Sequence, residues 1–293
     1  MCGLLCLALL PAAGHAERIL HEERSLYSDI VVKHIGNRVC LQFKVRSDQR
    51  NQSCFDRRAP RRMVFSYTRM AMAGLLFAPE PASALIIGLG GGTVPTALAE
   101  LYPDIEIDAV EIDPAVVKVA REFFAFETGD RMRVHTQDAR VWVKRALLKQ
   151  RQFDYILLDA FNGEYIPEHL MTAEFFEELK ALLGPEGVMV SNTFGMSRFY
   201  SNESATYKHV FGDFINFRMA DSSNRIVIAP VANLSDETLL ARARELEAPL
   251  KPYAVPIRKF SRNLVRLRGA APDWDTGARV FTDQYSPANV LHN

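Results

Sequence analysis

A chain of 293 residues holds one large domain or two smaller ones, and 48% apolar residues is ample for a packed core. Lys plus Arg and Asp plus Glu each total 35, so nothing in the charge favours bulk attraction to acidic partners. That balance argues against a nucleic-acid partner and against binding to an acidic membrane surface.

The first sixteen residues, MCGLLCLALLPAAGHA, contain no Lys, Arg, Asp or Glu and are too short to span a bilayer. They end in Gly14-His15-Ala16, with small residues at the −3 and −1 positions of a signal-peptidase site, although a basic n-region is missing. We read residues 1–16 as a signal peptide and expect an exported, periplasmic protein; an uncleaved leader would leave it in the cytoplasm. Removing the leader leaves Cys40 and Cys54 as the only thiols. They are symmetric about Ser47, so a hairpin centred there sets them opposite each other, as a disulfide requires.

From Glu17 to Phe55 the segments DIVVKHI, NRVCLQFKV and NQSCF alternate and are short, which predicts a small antiparallel β-module. Arg61 to Phe77 predicts a helix ended by Pro79 and Pro81, completing a first unit over 17–77. Residues 78–293 then read as a nucleoside-binding domain with a C-terminal tail. Ala84 to Ile87 predicts a strand running into a glycine turn, Gly88, Gly90, Gly91 and Gly92, followed by a helix. A second strand, Ile105 to Ile112, ends beside Glu111 and Asp113, and the helix PAVVKVAREFFAF opens on a proline.

MRVHTQDA is a third strand leading to Asp138, and ARVWVKRALLKQ is a helix. FDYILLDAF is a fourth strand leading to Asp159. Thr172 should cap the helix AEFFEELKALL, with Gly184-Pro185 closing it. GVMVSNTF is a fifth strand, ESATYKHVFGDF a helix and NRIVIAPV a further strand. The tail carries one charged helix, DETLLARARELEAPL, before a proline-punctuated stretch. The alternation predicts an α/β fold: a Rossmann-like, doubly wound, mostly parallel sheet of the class I methyltransferase type, preceded by the antiparallel β-module.

Glu111, Asp138 and Asp159 end three successive strands, so they converge on the crevice beside the glycine turn. Glu111 would take ribose hydroxyls. Asp138, with the Ala139 backbone beside it, would accept from an adenine amine, and Asp159 would stand where the reacting end of the ligand lies. Thr93 and Val94 stand where a pyrophosphate turn would want its third glycine, which lowers the dinucleotide reading. No His/Cys cluster has ligand spacing, so no metal is expected.

Taken together, FSYTRM (Phe65 to Met70), IIGLGGG, VEID, QDA, LLDAF and the closing TDQYSPANVL resemble the spermidine synthase, or polyamine aminopropyltransferase, family across about residues 22–230 plus the tail. The resemblance implies decarboxylated S-adenosylmethionine as co-substrate, an amine or polyamine acceptor and a homo-oligomer. It implies Asp159 as the group that accepts or orients the amine proton, assisted by Tyr67, and Gln52 as a cofactor-binding glutamine. The chain also departs from the family. Gly91 replaces an aspartate that holds the aminopropyl amine, Asn162 replaces a second acid after Asp159, Arg69 replaces an acid, and Ser191-Asn192-Thr193 replaces a glutamine-glycine-glutamate run. Glu164 and Glu168 are candidates to restore negative charge. A methyltransferase using intact S-adenosylmethionine and a non-catalytic exported nucleoside- or polyamine-binding protein remain alternatives.

Overall fold

The computed structural model describes residues 17–44, 50–160, 167–220 and 222–285. The leader, Ser47, Asn162, Glu164 and the end of the TDQYSPANVL motif lie outside the described residues. The chain begins with a four-stranded antiparallel sheet in sequence order: β1 (Arg18–Arg24), β2 (Asp29–Ile35), β3 (Arg38–Phe43) and β4 (Asn51–Asp56). Alternation along β2 and β3 puts Ile30, Val32, Val39 and Leu41 on one face. That face packs on Ala115, Val116 and Val119 of the later helix α3 (Pro114–Phe123). Cys40 and Cys54 are register partners and are joined by a disulfide, as their symmetric spacing predicts.

The second sheet has seven strands. β5 (Ser83–Ile87), β6 (Glu106–Glu111), β7 (Met132–Thr136), β8 (Phe153–Leu158) and β9 (Leu183–Phe194) are mutually parallel. β10 (Ile215–Arg218) and β11 (Asn224–Pro230) complete it, with β11 antiparallel to both neighbours. The spatial order is β10-β11-β9-β8-β5-β6-β7, so the order reverses between β5 and β8.

Two cores sandwich this sheet. On one face Ile86, Ile107, Leu157, Val190 and Ile226 pack against α1 (Ser66–Ala71) with the 3-10 turn Met72–Leu76, and against α2 (Thr93–Leu101). The same core takes in α7 (Asp236–Glu245), the short α8 (Glu247–Leu250) and α9 (Ile257–Leu267). On the other face Leu85, Val110, Ile156, Met189 and Val227 pack against α4 (Ala139–Leu148), α5 (Ala173–Ala181) and α6 (Tyr200–Phe211). Successive strand residues divide between the two cores, as the period of two requires.

Four local expectations differ from the structure. Arg61 to Phe65 is not helical, and the predicted helix is a two-part element starting at Ser66. Helix α5 is capped by Thr172 as expected but ends at Ala181, and Gly184-Pro185 lies inside β9. The register of β8 on β9 shifts between Phe153 and Tyr155, so the Gly-Pro-Glu-Gly stretch is accommodated as a bulge within a strand. Strand β10 and helix α9 were not anticipated. In α9, Ile257, Phe260 and Leu264 recur at helical spacing and are buried, within a stretch that looked merely proline-punctuated.

The disulfide closes a loop of sequence separation 14. Reducing it should lower the unfolding free energy by about 3 kcal/mol. Urea denaturation with and without reductant measures this, and identical midpoints would show that the bridge adds no stability.

Candidate active site

A cavity of about 930 Å³ opens at the carboxyl ends of the parallel strands, over the point where the strand order reverses. Gln52, Tyr67, Gly88, Gly90, Glu111, Asp138, Ala139 and Asp159 all line it. Gly91 and Gly92 do not. Gly92 opens helix α2, and a Cβ on Gly91 would come within 2.7 Å of both the Ser53 hydroxyl and the Phe124 ring. Those two groups occupy the space into which a side chain at position 91 would project.

Gly88 is required by a close approach. Its φ is +91°, and a Cβ there would collide with the Asp159 carbonyl oxygen. The Gly88 amide donates to the Val110 carbonyl at 2.8 Å, and the Asp159 amide donates to the Ile87 carbonyl at 2.7 Å. The end of β5 is thereby stitched to β6 on one side and to β8 on the other.

Glu111 faces the turn from the end of β6. One carboxylate oxygen accepts from the Leu89 amide at 2.9 Å and the other from the Asp113 amide at 3.0 Å. Burial pushes its carboxyl above the ordinary range, against the pull of these backbone donors. Asp113 caps α3 through the Ala115 amide and also accepts from the Ser25 hydroxyl, which ties the β1–β2 turn to the rim. Beside that turn, Leu26 and Tyr27 are exposed at the cavity lip.

Asp138 is the N-cap of α4, accepting from the Val141 amide at 3.0 Å, and its second oxygen meets His169 Nε2 at 2.9 Å. Each oxygen keeps a further lone pair, so these bonds leave room for a ligand donor.

Asp159 follows β8 at the cavity floor. It is half-buried by area because its remaining surface faces the cavity rather than the outer surface. Asn192 Nδ2 donates to its Oδ1 at 2.8 Å, and the Tyr67 hydroxyl lies beside the carboxylate while donating to the Gln52 carbonyl at 3.3 Å. Burial raises the Asp159 carboxyl to about 7; the Asn192 bond opposes this, and the Glu111 charge adds to it. Burial, followed by the negative charge of Asp159, drives the Tyr67 hydroxyl well above its usual value, so it stays protonated.

Several groups on this wall carried no assignment in the sequence reading. Asn224 Nδ2 donates to Asn192 Oδ1 at 3.0 Å, extending the chain of amides that ends on Asp159. Asn224 starts an antiparallel strand, so its end of β11 meets the carboxyl end of β9. Behind this wall Arg225 and Glu203 form a buried pair at 2.6 Å, with Thr193 donating to Glu203 and Arg225 bonding Ser204. Arg69 does not line the cavity; it donates to Ser66 on its own helix. Glu168 does not line it either. Among the described residues, no group of three or more His, Cys, Asp or Glu is placed to hold a metal, and no helix is long and apolar enough to cross a membrane.

The seven-stranded, mostly parallel sheet is of the class I methyltransferase type. Human Methyltransferase-like protein 13, solved in complex with SAH, superposes with a TM-score of 0.59 and 27% identity over 64% of this chain and 93% of that one. A probable spermidine synthase from Corynebacterium glutamicum superposes with a TM-score of 0.67 and 22% identity, covering 91% of this chain and 97% of that one. The model of the spermine/spermidine synthase domain matches residues 64–222. A polyamine aminopropyltransferase of Vibrio vulnificus is 49% identical over 292 residues, 99% of this chain and 96% of that protein. One of Chromobacterium violaceum is 37% identical over 67% of this chain and 76% of its own length. The chain belongs to the spermine/spermidine synthase family.

Replacing Glu111 with Gln keeps its size but weakens a charged acceptor that serves the cavity and the glycine turn together. Affinity for methylthioadenosine should fall roughly tenfold, the scale of one hydrogen bond to a charged group. Titration calorimetry on the folded variant checks this, and unchanged affinity would remove Glu111 from nucleoside binding.

Proposed function

We propose that this chain is an aminopropyltransferase that moves the aminopropyl group of decarboxylated S-adenosylmethionine onto a primary amine. The observation that carries this reading is Asp159, whose carboxyl burial pushes up to about 7, with Asn192 donating to it and Tyr67 beside it at the floor of the cavity. The amine nitrogen attacks the methylene next to the sulfonium, and the C–S electron pair stays on sulfur. Methylthioadenosine leaves as a neutral thioether, so no general acid is required. The amine must lose a proton, and a carboxylate with a raised pKa is suited to receive it.

The remaining wall residues take roles consistent with that reaction. Glu111 receives the ribose hydroxyls, Asp138 and the Ala139 backbone the adenine edge, and Gly88 and Gly90 the close approach of the donor. Gln52 positions Tyr67 through its carbonyl, and Tyr67 orients Asp159. At the place where Gly91 lacks an acid, Ser53 presents a hydroxyl to the donor arm. We also propose that the protein is exported, supported by the leader pattern and by the Cys40–Cys54 bridge, since disulfides persist in oxidising compartments. Cell fractionation with a cytoplasmic marker tests this; recovery of the intact leader in the cytoplasm would overturn it.

Calorimetry with methylthioadenosine, S-adenosylhomocysteine and spermidine tests the reaction class. Tighter binding of methylthioadenosine supports aminopropyl transfer, tighter binding of the homocysteine product supports methyl transfer, and binding of spermidine alone marks a carrier. Asp159→Asn should reduce turnover by at least about a hundredfold, on the scale of lost general-base catalysis, while methylthioadenosine affinity changes little. Undiminished turnover would remove the assignment.

The pH dependence has a definite sign. Burial pushes Asp159 up to about 7 in the free protein, so kcat/KM should fall as pH drops through that value and the carboxylate takes up its proton. A kcat/KM profile flat between pH 6 and 8 would contradict this role.

A further inference from the structure

Where β9 meets β11, Asn224 is paired across the ladder with Phe194, and Arg225 with Thr193. Alternation puts Asn192, Phe194 and Asn224 on the cavity side, and all three line it. Thr193 and Arg225 point the other way, where Arg225 meets Glu203 at 2.6 Å and Thr193 at 3.3 Å in a buried cluster. That cluster ties β9, β11 and α6 together and fixes the backbone next to both amides. Asn192 is only 5% exposed, and its carboxamide has two unlike ends. Nδ2 donates to Asp159 Oδ1 at 2.8 Å, and Oδ1 accepts from Asn224 Nδ2 at 3.0 Å. Without the Asn224 donor that buried oxygen would be orphaned, and Asn192 would gain by turning away from Asp159 to find a partner.

Resting on the aminopropyl-transfer reading, we propose that Asn224 is a positioning residue for the reaction. It holds the Asn192 carboxamide so that an N–H stays on the carboxylate that receives the amine proton. A donor on a carboxylate favours the ionised, proton-accepting form, so Asn224 acts on Asp159 rather than on the substrate. The bond from Asn192 opposes the burial that raises this carboxyl to about 7. Among the described residues, Asp159 is also faced by Glu111 from β6, whose charge raises it, and by Tyr67 from α1, whose hydroxyl lowers it. Tyr155 of β8 lies close enough to feel its charge, and burial keeps both tyrosines protonated. Asp113, Asp138, His169 and Arg50 line the same cavity. Replacing Asn224 leaves every one of these side chains in the chain, so the titration of Asp159 reports on the amide contact.

Asn224→Leu keeps the bulk of the side chain and removes its donor; Asn224→Ala is the second variant should the first not fold. Two measurements are made on the full chain. One is kcat/KM against pH, from methylthioadenosine release with decarboxylated S-adenosylmethionine and 1,4-diaminobutane. The other is carbon-13 NMR titration of the Asp159 carboxyl in the free protein, its signal assigned by loss in Asp159→Asn. In the Asn224 variants the acidic limb and the NMR midpoint should both move up by about half to one pH unit, part of what losing one hydrogen bond to a charged group commands. Affinity for methylthioadenosine should be unchanged. Asn192→Ala should move both further, and adding Asn224→Leu to it should change nothing more, as two residues acting in series require. A midpoint that stays in place in the Asn224 variants, or shifts that add in the double variant, would overturn the proposal. A midpoint that moves as expected in a protein that transfers nothing to the diamine would count against the transfer reading alone, and the hold of Asn224 on Asp159 would stand.

Discussion

The contact between Gly88 and the Asp159 backbone is the constraint on which the site depends. Parallel strands end in carbonyl and amide groups that need partners, and β5 sits at the point where the sheet order turns back. Because position 88 has no Cβ, the chain leaves β5 against the Asp159 carbonyl and still bonds Val110 on the other side. The glycine turn is thereby fixed between the ends of β6 and β8. Glu111 and Asp159 follow onto the same cavity, one facing the turn and the other on the floor. Any larger residue at 88 would separate β5 from β8 and dismantle both walls together.

That geometry sets the electrostatics. The two carboxylates are close enough for the Glu111 charge to raise Asp159, yet they are held by different partners. Glu111 is fastened by backbone amides on both oxygens, which oppose the upward push of burial on its carboxyl without outweighing it. Asp159 has a single amide donor on one oxygen and a tyrosine beside it, so burial prevails and its proton affinity rises. Burial therefore raises both carboxyls on one crevice, and Asp159, with fewer donors and the Glu111 charge beside it, is pushed up to about 7.

Most of this was legible in the sequence where chemistry and periodicity agreed. Strand-end acids beside a glycine turn gave the crevice, and cysteines symmetric about Ser47 gave the register of β3 on β4. Legibility failed where local chemistry misrepresented its context. Gly184-Pro185 has turn chemistry, but the turn is a bulge inside β9. The apolar residues of α9 are diluted by Arg258, Lys259, Arg262 and Arg266, so its buried stripe was lost in a basic segment. Asn224 was invisible because its importance comes from antiparallel pairing with β9, a tertiary fact that no local pattern carries.

Gly91 shows the same limit most sharply. The family resemblance led us to expect an acid there, and the chain has glycine. In three dimensions the space is filled from elsewhere, by Phe124 after α3 and by Ser53 of β4. Ser53 lies between Gln52, whose carbonyl receives Tyr67, and Cys54, whose bridge to Cys40 fixes the strand register. The N-terminal sheet is therefore part of the active-site wall, because β4 delivers consecutive residues to Tyr67 and to the glycine turn. A substitution in the glycine motif cannot be weighed alone: the group that fills its space comes from another sheet, held in place by a disulfide far from the motif in sequence.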